Sequence, residues 1–216
     1  MSWRIIETEA DISAGVRALR RKCRHMRLIH DQVGDPPLRR HASGFPGLVR
    51  IVVGQQLSIA SATAIWSRLE AAIVPLDASR LADFDDEFLR GLGLSRSKVA
   101  TLRSLAEALE GGGLDIAELD QADDARIHEI LTGLRGFGPW SADIYIMFCL
   151  GRSDGFAAGD LALQEAARIA LGLEQRPGAE ELAAISERWR PWRGVAARLL
   201  WSHYAFNRKL SSALPA

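Results

Sequence analysis

The stretch Leu131-Thr-Gly-Leu-Arg-Gly-Phe-Gly-Pro-Trp-Ser-Ala-Asp143 decides the fold of this 216-residue chain. One helix is predicted to end near Thr132. A second should begin at Pro139, because proline suits the first position of a helix. The glycines between them permit a tight turn and leave backbone N–H groups unshielded. A helix start with unshielded amides is a ready anion-binding site, although an ordinary turn between packed helices would also use such glycines.

The hydrophobic pattern predicts an all-α fold of nine or ten helices. Apolar residues in 9–29 recur at intervals of three and four, which is the period of a helix with one buried face. Residues 44–73 form a second long helical region that Pro75 ends, and 31–43 form a loop. Alternating β-branched runs, the signal of strands, are not found in the sequence. Further helices are predicted at 78–83, 85–91, 95–110, 115–119, 123–133, 140–150, 160–171, 178–188 and 191–206.

The composition is that of a globular intracellular protein. Hydrophobic residues make up 48% of the chain and charged residues 25%, close to the averages for soluble domains. No apolar run reaches the roughly 18 residues of a membrane helix, and the first residues have no signal-peptide pattern. Cys23 and Cys149 lack metal-site spacing, so two buried thiols and no metal site are expected. These features predict a cytoplasmic protein without membrane contact.

The charge is unevenly distributed although the formal net charge is zero. Residues 1–50 contain ten Arg/Lys and five Asp/Glu, and residues 188–216 contain six Arg/Lys and no acid. If the two ends pack together, they form a basic lobe beside an acidic one, and local charge governs attraction to phosphate. Solvated, arginine-rich helices would give the same counts, so charge alone leaves nucleic-acid binding open.

Three blocks resemble the helix-hairpin-helix superfamily of DNA repair glycosylases over roughly residues 40–208. They are most similar to the bacterial 3-methyladenine DNA glycosylase II type, in the compact form without the extra N-terminal β-domain. In the family's order, the blocks are Phe45-Pro-Gly-Leu-Val-Arg-Ile-Val-Val-Gly-Gln-Gln-Leu-Ser58, the hairpin with Gly155-Phe-Ala-Ala-Gly-Asp-Leu-Ala-Leu163, and Glu187-Arg-Trp-Arg-Pro-Trp-Arg-Gly-Val-Ala-Ala-Arg-Leu-Leu-Trp201.

The resemblance places Asp160 on the family's catalytic aspartate, twenty residues after Trp140. The implied activity is excision of alkylated purines, such as 3-methyladenine and 7-methylguanine, from duplex DNA by base flipping. Asp160 would stabilise the cationic sugar and orient or deprotonate the attacking water. It also suits the N-cap of the following helix, and the two roles are compatible because a helix N-terminus favours a carboxylate.

The subclass follows from the family position of a catalytic lysine. Bifunctional relatives use a hairpin lysine to cleave the strand through a Schiff base, and this chain has Trp140 there. It also lacks the four-cysteine cluster of the endonuclease III branch. The resemblance therefore implies a monofunctional hydrolase without lyase activity. It disfavours an adenine- or pyrimidine-specific glycosylase/lyase.

Aromatic walls and a wedge are also implied by the resemblance. Trp140 and Trp201 correspond to walls of the base pocket, where indoles attract cationic purines, although core packing would equally use tryptophan. Tyr145 lies one position past the family's hairpin-helix aromatic, so its pocket role is doubtful. The predicted wedge that fills the gap left by the flipped base lies in the first block, with a polar pair inside a helix as the alternative. The wedge candidates are Gln55, Gln56 and Leu57.

The remaining assignments concern the phosphate contacts and the architecture. The hairpin residues assigned to DNA are Gly136, Gly138, Pro139, Trp140 and Ser141. Arg193 is assigned a supporting role, holding either Asp160 or a phosphate.

Two helical lobes with a cleft between them are expected. A central lobe spans 45–150, with the hairpin at about 125–150, and a second lobe combines 1–44 with 151–216. No cofactor is implied, and the resemblance leaves room only for a monovalent cation on hairpin carbonyls. The expected partner of a monomer is damaged duplex DNA. The alternatives are a non-catalytic helix-hairpin-helix DNA-binding module and a helical scaffold without a nucleic-acid role.

Overall fold

The computed structural model describes residues 3–213, with side chains through residue 208. Within this range the chain is helical and has no strand; a single isolated bridge pairs Ile5 with Arg152. The predicted all-α class is therefore confirmed. The α-helices are α1 (Glu9–Lys22), α2 (Arg24–Val33), α3 (Gly44–Gly54), α4 (Ile59–Ala72), α5 (Ala78–Ala82), α6 (Asp86–Gly91), α7 (Arg96–Glu110), α8 (Ile116–Gln121), α9 (Asp124–Thr132), α10 (Pro139–Ile144), α11 (Leu161–Leu171), α12 (Ala179–Ser186) and α13 (Arg193–Ala213).

Two short helices of other types complete the fold. A π-helix (Tyr145–Cys149) continues directly from α10, and a 3₁₀-helix (Glu187–Trp189) follows α12. No helix in the described part of the chain is both long and apolar enough to cross a membrane.

Most helices in the middle of the chain begin at an Asp or Ser whose side chain accepts a hydrogen bond from a backbone N–H of the first turn. α10 differs, because it begins at Gly138 without a side-chain cap. The N-cap residue of α10 therefore offers no side-chain acceptor to the backbone N–H groups of the first turn. The side-chain caps are Ser58, Asp77, Asp85, Ser95, Asp115 and Asp123.

The chain divides into two compact units. We call the unit formed by residues up to Arg40 and from Ile146 onward the terminal unit, and His41–Tyr145 the central unit. The terminal unit contains α1, α2 and α11–α13, whereas the central unit contains α3–α10.

The core of the terminal unit forms where α13 packs against α1, α2 and α11. Trp189 and Trp192 are 0% and 6% exposed, so both belong to this core. Cys23 and Cys149 are buried free thiols, as predicted.

The core of the central unit is built around α3, which packs against α4, α7, α8 and α10. Leu48, Val49 and Val52 of this helix are 0% exposed. A helix that is apolar on almost every side is expected at the centre of such a bundle.

The predicted number of nine or ten helices was too low, and two regions taken as continuous are interrupted. The break between α1 and α2 lies at Cys23, whose backbone is extended (φ −138°, ψ 117°). The region 44–73 breaks at residues 55–58, where Gln56 has a left-handed backbone (φ 56°) and Ser58 caps the next helix. Apolar spacing continues across both breaks, so periodicity did not reveal them. The predicted loop 31–43 is also shorter, since α2 continues to Val33.

Candidate functional site

Asp160 is the N-cap of α11 in the terminal unit, as its cap interpretation predicted. Its Oδ1 accepts hydrogen bonds from the backbone N–H of Leu163 at 2.8 Å and from Nε1 of Trp201 at 3.1 Å. The side chain is half-buried. Two donors at the N-terminus of a helix thus hold a partly exposed carboxylate in one orientation.

The indole of Trp201 is itself held by an aromatic neighbour. Its ring centroid lies 5.8 Å from that of Phe148, with the planes inclined by 32°. Trp201 is half-buried, whereas Phe148 is only 7% exposed. Phe148 therefore supports the indole from the interior while part of Trp201 remains accessible.

A buried guanidinium, that of Arg198, fixes Phe148 in turn. Its Cζ lies 4.6 Å from the Phe148 ring centroid, and the residue is 3% exposed. Nη1 donates to the carbonyl of Gly194 at 2.8 Å, and Nη2 to that of Met147 at 2.9 Å. Burial, and then the positive charges of Arg40 and Arg39, lower the pKa of Arg198 to about 10. The Arg198 guanidinium thus stays charged at neutral pH, and its hydrogen bond to Met147 stabilises the π-helix that carries Phe148.

Arg193 does not hold the carboxylate of Asp160. Its Nε lies 3.1 Å from Asp154 Oδ1, and its Nη1 lies 2.8 Å from Glu187 Oε1. The first of the two alternatives considered for Arg193 is therefore not what the structure shows. Arg193 instead links the start of α13, by ion pairs, to Asp154 and to the 3₁₀-helix that begins at Glu187.

The hairpin of the central unit has two unshielded amides. The structure gives the backbone N–H groups of Gly136 and Gly138 no acceptor among the described residues. Pro139 occupies the first position of α10 and is exposed, while Phe137 is 5% exposed and anchors the turn. Two unpaired donors beside an uncapped helix start can bind an anion such as a phosphate.

Gln55 fastens this hairpin rather than extending from the surface. Its Nε2 donates to the carbonyl of Gly136 at 2.9 Å and to Oγ of Ser141 at 3.1 Å. Ser141, which sequence analysis assigned to DNA contacts, is only 2% exposed. The side-chain amide of Gln55 is therefore bonded to the hairpin, and Ser141 is buried within it.

The other two wedge candidates are exposed beside the fastened hairpin. Gln56 is exposed and has a left-handed backbone, which lies outside any helix. Leu57 is 40% exposed and Ile59 is 71% exposed. Residues 55–58 therefore form a loop, with exposed Leu57 in it and exposed Ile59 at the start of α4, in place of the polar helical pair considered as the alternative.

The two aromatic residues of the hairpin helix differ in accessibility. Trp140 is half-buried at the second position of α10. Tyr145 is 0% exposed, its hydroxyl donates to Asp120 Oδ1 at 2.6 Å, and it accepts from the backbone N–H of Gly44 at 2.9 Å. The doubt about a pocket role for Tyr145 is thus justified, since the residue links three segments of the central unit.

The two helices of the hairpin are joined by an ion pair between His128 Nε2 and Asp143 Oδ1 at 2.9 Å. The hydrogen bond to Asp143 raises the pKa of His128 above its usual 6.5, in spite of partial burial. Protonated His128 thus stabilises the folded state.

We expect the stabilisation from this pair to be complete below about pH 6.5 and to disappear as the pH rises through the higher pKa of the folded state. Its size should be below about 1 kcal/mol, because both groups are partly exposed. Urea unfolding at several pH values measures it as the difference between the wild type and His128→Gln. A difference that is constant from pH 6 to 9 would contradict the expectation.

Metal ligands do not cluster in the described residues: no group of three or more His, Cys, Asp or Glu side chains is close enough together to hold an ion.

The fold and these two sites define a class of protein. A family model described as the HhH-GPD superfamily of base excision DNA repair proteins matches residues 49–191. Because the match covers more than half of the chain, this protein belongs to that superfamily. The predicted helix-hairpin-helix glycosylase fold and the predicted base excision repair family are therefore confirmed.

Two solved structures are similar to this chain over most of its length. The structure of Schizosaccharomyces pombe 3-methyladenine DNA glycosylase Mag1 in complex with abasic DNA is similar, with a TM-score of 0.80 and 27% identity over 87% of this chain and 95% of that one. A DNA-3-methyladenine glycosidase structure from Bacillus halodurans gives a TM-score of 0.72 and 30% identity over 97% and 95%.

A relative found by sequence similarity carries the same kind of name as these two structures. Bacillus subtilis YfjP, provisionally named as a DNA-3-methyladenine glycosylase, is 26% identical over 80% of this chain, which spans 63% of that relative's length. The predicted activity on alkylated purines agrees with the names of these three proteins.

Proposed function

We propose that this protein is a monofunctional DNA glycosylase that hydrolyses the N-glycosidic bond of alkylated purines in duplex DNA, with Asp160 as the catalytic carboxylate. The observation that carries the proposal is the fixed geometry of Asp160, held by Leu163 N–H and the Trp201 indole in a member of the base excision repair superfamily. A helix cap alone does not require an indole donor.

The chemistry requires one well-placed negative charge. Alkylation at N3 or N7 makes the purine cationic and weakens its bond to the sugar, so departure of the base leaves an oxocarbenium-like sugar. The Asp160 carboxylate stabilises that cation and orients the water that attacks it. The bond between the anomeric carbon of the sugar and the purine nitrogen breaks, and the base leaves with the bonding electrons. A bond forms between that carbon and the oxygen of water, which loses a proton to solvent or to Asp160.

The base must leave the duplex before this reaction. The hairpin amides of Gly136 and Gly138 hold the DNA backbone, which positions the strand without reading its sequence. Flipping costs a few kcal/mol, and the exposed Gln56 and Leu57 fill the vacated space.

Selectivity for charged lesions comes from aromatic walls. Trp201 and Trp140 are both half-buried and therefore retain exposed ring surface. An indole face attracts a cationic purine by about 0.5 to 2 kcal/mol, which a neutral base does not gain. Contact with such an indole face thus favours alkylated purines over normal bases.

The reaction stops at the abasic site. Trp140 occupies the position of the lysine that bifunctional relatives use, so no amine is present there to form a Schiff base. The protein works as a cytoplasmic monomer on damaged duplex DNA and leaves strand cleavage to another enzyme.

The proposal is tested by incubating the protein with a duplex that carries one alkylated purine. Free base is measured by chromatography, and strand nicks are measured before and after alkali. Free base with nicks only after alkali is the expected result. Nicks before alkali would refute the monofunctional assignment. Absence of free base from a folded, DNA-binding protein would favour the non-catalytic module.

Trp201→Phe tests the role of the indole donor. Phenylalanine keeps an aromatic wall but loses the N–H that contacts Asp160, and a hydrogen bond to a charged group is worth about 1.5 kcal/mol. We expect base release to slow about tenfold under single-turnover conditions. Trp192→Phe is the matched control, because Trp192 is a core residue whose loss should lower stability and leave the rate unchanged. Equal rates for wild type and Trp201→Phe would contradict the assigned role.

A further inference from the structure

A group of four arginines lines an open surface depression of about 450 Å³ on the terminal unit. Three of them lie on α1 and one on α2. All the described residues that line the depression are arginines, so its walls are suited to anionic groups. We call this group the arginine cluster; its members are Arg17, Arg20, Arg21 and Arg27.

The charge of the arginine cluster is only partly balanced by the protein, through the electrostatic interactions of Asp31 with Arg20 and Arg27 and of Asp35 with Arg17. Among the described residues, the side chains of Arg17, Arg21 and Arg27 have no ion pair or hydrogen bond. Only Arg20 has a carboxylate partner, Asp31 at 2.5 Å. Residues 17–27 contain six Arg/Lys and no Asp or Glu.

Some arginines elsewhere in the chain form ion pairs with neighbouring carboxylates. Arg80, Arg126 and Arg168 each pair with a nearby carboxylate at 2.6 to 2.9 Å. Other arginines in the middle of the chain, such as Arg90 and Arg96, have no ion pair among the described residues, so the cluster differs from them by the proximity of its members. The arginine cluster thus retains several free guanidinium groups side by side.

Helix electrostatics explain only part of the cluster. Arg20 and Arg21 lie in the last turn of α1, where positive charge is favourable. Arg27 lies in the first turn of α2, where the dipole disfavours it. Arg17 and Arg21 are four residues apart on one helix, so they repel each other. Electrostatic repulsion among these arginines therefore raises the free energy of the isolated protein, and binding of an anionic partner would reduce that repulsion.

We propose that the arginine cluster is a second contact for the DNA phosphodiester backbone, distinct from the hairpin. Guanidinium groups bind phosphate oxygens in pairs, and four such groups match several singly charged phosphodiesters better than one small anion. This inference rests on the proposed function, because it takes duplex DNA as the partner.

The test is the salt dependence of affinity for undamaged duplex DNA, measured by fluorescence anisotropy. The test variant is Arg17→Gln/Arg21→Gln. The matched control is Arg176→Gln/Arg188→Gln, which removes two exposed positive charges from the same unit. Loss of two phosphate contacts should reduce the slope of log K against log salt by about 1.8. Affinity at low salt should fall on the order of tenfold. The control should keep the wild-type slope.

Thermal unfolding provides a second measurement. The test variant should unfold at the same temperature as the wild type or at a higher one, because repulsion between the arginines is reduced. Weaker DNA binding together with undiminished stability would support the proposal.

Unchanged slope and affinity would overturn it, and so would an equal loss in the control. Protection of the wild type by inorganic phosphate alone, with duplex affinity unaffected in the variant, would assign the cluster to a small anion and also overturn it. Because the duplex is undamaged, these outcomes are independent of whether the protein releases bases.

Discussion

Asp160→Asn is expected to slow release of alkylated purines by about 10² to 10³, with little effect on stability or DNA affinity. Asparagine has nearly the same shape, and its side-chain oxygen can still accept from Leu163 N–H and the Trp201 indole. Asparagine is also as good an N-cap as aspartate. Only the negative charge is lost, and removal of one electrostatic partner of a transition state has an effect of this size.

The matched control is Asp85→Asn, which changes the N-cap of α6 in the same way. This variant should release bases at the wild-type rate. Single-turnover rates on a defined lesion, together with unfolding curves, separate the two roles of Asp160. A rate within about threefold of the wild type in Asp160→Asn would reduce the residue to a helix cap.

Gly136→Ala is expected to have the largest effect on the hairpin. Gly136 has a φ of +80°, and a Cβ there would lie 2.2 Å from Oγ1 of Thr101 and 2.8 Å from its Cγ2. The left-handed backbone alone costs about 1 to 2 kcal/mol for alanine. Thr101 is 6% exposed and cannot move easily in a packed core. We therefore expect a loss of stability of about 2 kcal/mol or more and weakened DNA binding.

Gly138→Ala separates folding from binding at this hairpin. Gly138 has an extended backbone, and a Cβ there would meet nothing within 4 Å. Its stability should stay near that of the wild type, whereas the added methyl group would hinder a phosphate at the adjacent amide. The double variant Gly136→Ala/Thr101→Ala should recover part of the lost stability. Chemical unfolding and anisotropy measure both quantities, and wild-type stability in Gly136→Ala would refute the steric argument.

Local sequence was sufficient to predict the N-cap position of Asp160 and the glycine turn of the hairpin. The cap position of Asp160 and the turn at Gly136 and Gly138 depend on residues within a few positions, so their pattern is visible in the chain. The helical periodicity likewise predicted the all-α class, because most helices bury one face.

Long-range packing accounts for what the sequence did not reveal. The role of Gln55 depends on a chain break at residues 55–58 and on a contact 81 positions away in sequence with Gly136. Phe148 and Arg198 were not identified because a π-helix and carbonyls from separate segments place them. Arg198 and Trp201 are three residues apart on α13 and therefore lie on the same helix face. This spacing is the local sequence signal that Arg198 lies near the indole which Phe148 contacts.

Binding of abasic-site analogues tests most directly the central claim that Asp160 stabilises a cationic sugar. Two duplexes are compared, one with a cationic pyrrolidine in place of the sugar and one with a neutral tetrahydrofuran. The wild type should bind the cationic duplex about 10² times more tightly, as expected of a transition-state mimic, and Asp160→Asn should lose this preference. Equal affinity for the two duplexes in the wild type, or an unchanged preference in Asp160→Asn, would contradict the claim.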